Sequence, residues 1–563
     1  MRRIQNMKNI YHIVVLLLVL SLMACDSDSP APSDPATSAP VISDPVTSGP
    51  VTSDPVTSDP ATFIVSGNIT GLSRPLNLSL GAETLTLEAD GPFAFSTDYA
   101  DGSSIDILFN ASMFQTCGVS GSAVVNGQDV SDIAVQCRAI HYFQAAEGAN
   151  GYELWRTDGT EAGTVMLKDI NAGIASSYVS NPTAVGETLY FRADDGINGY
   201  ELWKSDGTEA GTVMLKDITA GIASSYISNL TAVGETLYFS ADDGINGYEL
   251  WKSDGTEAGT VMLKDISAGI ASSHVSNLTA VGETLYFSAD DGINGRELWK
   301  SDGTEAGTVL VKDIYAATFS SHVSYLTAVG ETLYFRADDG INGYELWKSD
   351  GTEAGTVMVK DINAATISYV NNLTAVGETL YFSASDGING HELWKSDGTE
   401  AGTVMLKDIN LSGNGGPYNL TAVGETLYFT ASDGINGYEL WKSDGTEAGT
   451  VMLKDINLSG NGAPSDLTAS GETLYFTAND GIHGYELWKS DGTGAGTVMV
   501  KDISLGGDSY PVGFNWGAMN WGGGNSVYFL ADTNASAFYQ VYVSDGTAEG
   551  TLAIKPDTLY IED

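Results

Sequence analysis

From Phe63 onward the chain is built of short runs in which apolar and polar residues alternate, each closed by Gly, Asn or Asp. The stretch from Asn229 to Ile266 holds four of them: Leu230–Val233, Thr236–Ser240, Tyr248–Lys252 and Val261–Ile266. Between them stand Gly234-Glu235, Asp242-Asp243-Gly244-Ile245-Asn246-Gly247 and Asp254-Gly255-Thr256. Gly and Asn reach positive φ at little cost, so these spacers favour tight turns. Period-two alternation rich in Val, Thr, Tyr and Phe predicts four antiparallel strands.

The four-run unit recurs. Trp falls at 155, 203, 251, 299, 347, 394, 441 and 488, spaced 47 or 48 residues apart. A ninth, degraded copy has Val541-Tyr542-Val543 ahead of Ser544-Asp545-Gly546-Thr547. A fixed period near this length with four strands per unit is the pattern of a β-propeller blade, each blade burying its faces against its neighbours. The regularly placed Trp is expected between blades. The first unit begins at Ile140-His141-Tyr142-Phe143, which aligns with a second strand, so Thr558–Ile561 is expected to return and close the ring. Closure removes exposed sheet edges. The fold expected is therefore all-β: a propeller of about nine (alternatively eight) four-stranded blades, with an open β-solenoid as the third reading.

The phrase Glu201-Leu202-Trp203-Lys204-Ser205-Asp206-Gly207-Thr208, nearly verbatim in eight copies, resembles the bacterial ELWxxDGT repeat family. More distantly the units resemble NHL- and YVTN-type propeller blades. The resemblance covers 139–563 and implies the propeller fold; it carries no chemistry onto particular residues.

Upstream, residues 63–138 hold shorter alternating runs such as Leu76–Leu80, Ile105–Leu108 and Ile133–Val135, the pattern of a small β-sandwich. This region resembles prealbumin-like or carboxypeptidase-regulatory-like modules. Cys117 and Cys137 lie in it, 20 positions apart, and are expected to form a disulfide. Residues 25–62 are almost wholly Ser, Asp, Pro, Thr, Ala and Val, and hold eight of the 15 prolines. Such a stretch cannot bury a core and reads as an extended stalk, at ~3.1 Å per residue where it is polyproline-like. Residues 1–24 combine Arg2, Arg3 and Lys8 with the apolar run Ile13–Leu22, as a secretory signal does. Leu22-Met23-Ala24-Cys25 resembles the bacterial lipobox, which makes Cys25 the expected site of lipidation. Two or three acyl chains hold a protein on a membrane durably, where one is marginal. The expected location is a bacterial cell envelope, outer membrane or cell surface ahead of inner membrane.

Charge narrows the partners. The 563 residues carry 72 acidic and 25 basic side chains, a net −47, which argues against nucleic acid or anionic lipid over any broad surface. Residues 139–563 contribute 58 acidic and 20 basic residues of this total. In an up-and-down blade the loop from second to third strand and the connection from fourth strand to the next blade share one face. That face gathers a candidate ligand arc, Tyr178, Tyr226, His274, His322 and Tyr369, with Trp516 and Trp521 in a Gly-rich insertion of the last blade. It also gathers Asp194, Asp195 and Asn198, Asp242, Asp243 and Asn246, and Asp290, Asp291 and Asn294. Hard cations want several oxygens, so these loops are candidate calcium ligands; the alternative is turn chemistry alone. Repetition of the same carboxylates in every blade argues against one distinguished acid and base, and the six His residues form no triad by spacing. The expected function is a non-catalytic binding scaffold for a protein or glycan partner; a calcium-stiffened structural or adhesive surface protein is the alternative, and a propeller hydrolase or lyase the third reading.

Overall fold

The structure is a computed structural model. It describes residues 61–563 apart from 111, 149, 365, 514–525, 533–538, 556–558 and 561–563. The signal segment, Cys25, the stalk as far as residue 60, Trp516 and Trp521 lie outside the described residues. Among the described residues every regular element is a strand.

Each repeat folds as the alternation predicts. In the third, strands Ser228–Val233, Thr236–Asp242, Tyr248–Ser253 and Val261–Lys264 pair in chain order, all antiparallel. Gly234 and Glu235 form a two-residue hairpin between Val233 and Thr236. The second strand, longer than expected, buries consecutive residues from Leu237 to Ala241, not alternate ones. The cause is stacking on both sides. Leu237, Phe239 and Ala241 pack with Trp251 against the preceding blade, whereas Tyr238 and Leu250 face the following one. Trp251 is 6% exposed and stacks on Phe239 at 6.4 Å between ring centroids, so the repeated Trp is core.

Polar contacts join blades as regularly as apolar ones. Lys204 Nζ donates to Gly255 O in the next blade at 2.8 Å, and Lys216 Nζ to Thr260 O at 2.7 Å. The Asp-Gly-Thr turn is wound by its own side chains: Asp254 Oδ1 accepts from the Thr256 N–H and hydroxyl, and Thr256 Oγ1 accepts from Gly259 N. Gly255 has φ +84°, and a Cβ there would lie 2.5 Å from Tyr190 Oη of the preceding blade. Only glycine fits both constraints.

Nine sheets make the ring. Blade one is Glu153–Thr157 and Val165–Lys168 on His141–Glu147, completed by Leu559–Tyr560 from the far end of the chain, which pairs with Glu147 and Ala146. At that seam Phe143, Ala145 and Trp155 pack against Tyr528, Leu530, Val541 and Ile554. The ring is closed, as expected. Among the described residues its last blade shows three strands, Val527–Ala531, Gln540–Ser544 and Leu552–Ala553, with a bridge from Val512 to Leu530.

The small domain is a sandwich around Val65, Leu78, Phe95 and Val135. Gln115–Ser120 and Val130–Ala139 are neighbours, and Cys117 opposite Cys137 forms the expected disulfide. Its long strand ends at Ala139, one residue before the propeller begins. Met113 and Phe114 wedge into the seam between blades one and two. Glu187, in the hairpin turn of blade two, accepts from Ser112 Oγ and Met113 N, and Arg74 lies over the Phe114 ring at 4.1 Å. The domain is thus docked on the face opposite the long loops.

Candidate functional site

The long loops meet on one face. Asp242 N donates to Ser225 O, and Thr219 Oγ1 donates to Asp242 O, so the second-to-third-strand loop leans on the connection from the preceding blade. This face has three layers.

The outermost layer is acidic by sequence and turned inward by structure. Asp243 Oδ1 accepts from Ile245 N and Asn246 N, and its Oδ2 from Asn246 Nδ2. Asp242 Oδ1 accepts from Gly244 N. Asp194, Asp195 and Asn198, and Asp290, Asp291 and Asn294, repeat the arrangement. Burial alone raises Asp243, but the N–H groups of Asn246 and Ile245 outweigh it and hold the carboxyl below its ordinary value. Oxygens offered for calcium are therefore engaged in capping their own turns. Among the described residues no three His, Cys, Asp or Glu side chains converge as a metal centre would need. In the eighth blade His483 replaces Asn, and its Nδ1 lies 2.7 Å from Asp480 Oδ2.

The middle layer is aromatic and strained. Tyr178, Tyr226, His274, His322 and Tyr369 have φ of 47°, 49°, 50°, 51° and 50°. All five are exposed, Tyr226 by 57%. Several lean on the ring that opens the third strand: Tyr226 on Tyr248 at 5.9 Å, His322 on Tyr344 at 6.0 Å, and Tyr369 on His391 at 5.5 Å. Bulky residues at positive φ are outliers. Gly416 and Ala463 occupy the equivalent place in later blades, so the turn itself needs no ring. Apolar tips rise beside this arc. Ile245 at the second-to-third-strand loop is 69% exposed and Ile222 at the blade connection 89%; Ile197, Ile270, Ile435 and Leu458 continue the crown. In the seventh blade the two loops border a cavity of about 450 Å³ flanked by Ile435 and Leu458.

The innermost layer escaped sequence reading. Glu of the Glu-Leu-Trp phrase is wholly buried in all eight copies, from Glu153 to Glu486. Glu201 Oε2 accepts from Ile218 N at 2.8 Å and from Ser225 Oγ at 2.8 Å, while Oε1 accepts from Ser225 N at 3.1 Å. It pins both ends of the connection that carries Tyr226. Burial pushes its carboxyl up to about 7, against the pull of those hydrogen bonds. The signal was present, a charged residue that never varies beside Leu-Trp, but a Glu between strand residues reads as a solvated position.

Neither a family model nor a curated protein matches the chain. Among solved structures it is similar to a puromycin-hydrolyzing peptidase of Mycobacterium tuberculosis, at 12% identity and TM-score 0.34, over 57% of this chain and 53% of that one. It is similar to a puromycin hydrolase at 14% identity and TM-score 0.33, over 69% and 61%. The β-propeller domain of the Trilobed protease from Pyrococcus furiosus matches at 12% identity and TM-score 0.33, over 67% of this chain and 97% of that domain. The chain spans between 53% and 61% of the whole peptidases it resembles. These neighbours are hydrolases, against the expectation of a non-catalytic scaffold for a protein or glycan, and that expectation is withdrawn. At such similarity the likeness carries no argument about activity; the repeated four-stranded sheets themselves make this chain an all-β protein of the propeller type.

Proposed function

We propose that the chain works on polypeptide, gathering an extended, apolar and basic segment on its loop face as peptide hydrolysis requires before any bond is cut. The observation that carries this reading is the crown of Ile and Leu side chains at the loop tips, with Ile222 and Leu458 almost fully in solvent. Contiguous exposed apolar side chains on a soluble surface mark an interaction site. The strained rings beside them point the same way, because Gly416 makes the same turn in a later blade with no ring at all. The net −38 of residues 139–563 favours basic segments. The small domain is docked on the opposite face. We read the chain as a lipid-anchored protein of a bacterial envelope, carrying the lipid on Cys25, and its repeats as resembling those of the ELWxxDGT family.

The test uses the full chain and a fluorescent peptide alternating leucine with lysine. Anisotropy reads capture, and mass spectrometry reads cleavage. Replacing exposed Ile197, Ile222, Ile245 and Ile270 by Ser is expected to weaken capture about tenfold, a loss of ~1.4 kcal/mol, without changing the melting temperature. Absence of capture, or capture indifferent to these four changes, overturns the reading.

A further inference from the structure

Beneath the crown each of the first eight blades opposes two carboxyl groups. Pairing of Leu202 with Lys216 sets Asp217 across from Glu201, and pairing of Leu487 with Lys501 sets Asp502 across from Glu486. This continues the antiparallel register one residue past the end of the outer strand. In every one of these blades the Asp Oδ1, from Asp169 to Asp502, is shut off from solvent and has no N–H or O–H donor. The eighth blade goes further. Glu486 is wholly buried, and its Oε1 also lacks a donor. Its Oε2 accepts from Ile503 N at 2.9 Å and Ser509 Oγ at 2.7 Å, and the Ser504 N–H also bears on the carboxyl. The charged groups that bear on it are Asp502, from the end of the outer strand, and His483, from the second-to-third-strand loop.

Two like charges facing each other away from water are costly, and an unpaired buried oxygen adds to the cost. A single proton between the two carboxyl groups removes both faults. We infer that each of these buried Glu carboxyls keeps a proton directed at the donorless Oδ1 of the Asp across from it, and that its loss loosens the blade connection carrying the exposed ring. Burial, reinforced by the facing Asp, pushes Glu201 and Glu486 up to about 7. As the proton leaves, Asp217 is driven from Glu201. Its Oδ2 is the acceptor for Gly221 N at 3.2 Å, so the turn before Tyr226 loses an anchor. The face is therefore ordered in mildly acidic surroundings and slackens as pH rises through about 7. This inference does not depend on the ligand proposed above.

Two measurements on the full chain test it. Infrared difference spectra between about pH 6 and about pH 8.5 are expected to show loss of protonated-carboxyl absorbance, smaller by roughly one-eighth in Asp502→Asn. Amide exchange, corrected for its intrinsic pH dependence, is expected to quicken about tenfold in the connection 502–510 of the natural chain at the higher pH. In Asp502→Asn that connection stays protected, because the amide donates to ionised Glu486, while the connection 217–226 still quickens and reports intact folding. No protonated-carboxyl signal at the lower pH, or equal protection at both, overturns the inference. So does protection restored at high pH by calcium and removed at low pH by chelator, which would put a cation where the proton is assigned.

Discussion

Two glycines of neighbouring blades separate backbone strain from steric closure. Gly282 has φ +58° in the first hairpin of the fourth blade, and nothing lies within 4 Å of a Cβ built there. Gly282→Ala should therefore show the left-handed conformation alone, about 1–2 kcal/mol. Gly255, in the Asp-Gly-Thr turn, has φ +84° and a Cβ position 2.5 Å from Tyr190 Oη. Its cost adds overpacking of about 1–3 kcal/mol to the conformational term, so Gly255→Ala should lose roughly 2–5 kcal/mol. Tyr190→Phe removes the clashing oxygen and should return most of the overpacking part when combined with Gly255→Ala, leaving a loss like that of Gly282→Ala. Calorimetric unfolding of the four proteins, with the double variant analysed as a cycle, gives the coupling directly. If Gly255→Ala proves no worse than Gly282→Ala, or if Tyr190→Phe recovers nothing, the turn of one blade is not seated under the tyrosine of its neighbour.

Tyr226→Gly should leave stability unchanged or raise it by about 0.5–1 kcal/mol, since φ 49° suits glycine, while weakening peptide capture; a marked fall in melting temperature would make the arc structural. The pH profile of stability should peak in mildly acidic buffer. Eight buried Glu carboxyls rise from 4.5 to about 7 on folding, so the native chain binds the extra protons and stability falls as pH climbs through that window. Asp254 and its counterparts run the other way: the Thr256 hydroxyl holds Asp254 below 3.8, and that contribution disappears as pH drops past this value. Melting temperatures that rise steadily from acid to alkaline buffer would contradict the assignment. Reduction of the Cys117–Cys137 bridge should destabilise the small domain by roughly 3 kcal/mol in the chain-entropy model, read as an early transition in a thermal scan with reductant.

Backbone periodicity made much of the architecture legible. Alternation and the constant Trp interval name the strands, the blades and the returning C-terminal strand, because these follow from burial repeated at fixed spacing. At the site, polarity misled in two opposite senses. Asp243 looked available and is engaged by Asn246 and Ile245, while Glu201 looked solvated and is fully buried. Composition records which groups are ionisable; only the register, Leu202 across from Lys216, shows that Glu201 and Asp217 confront each other. The exposed Ile222 and Ile245 carry the same lesson for apolar residues. Each sits in a Gly-bounded loop and belongs to no alternating run, so no strand can bury it. An apolar residue left outside the period of a repeat this regular is one the fold does not use. Its persistence from blade to blade makes the loop face the place to look for what the protein does.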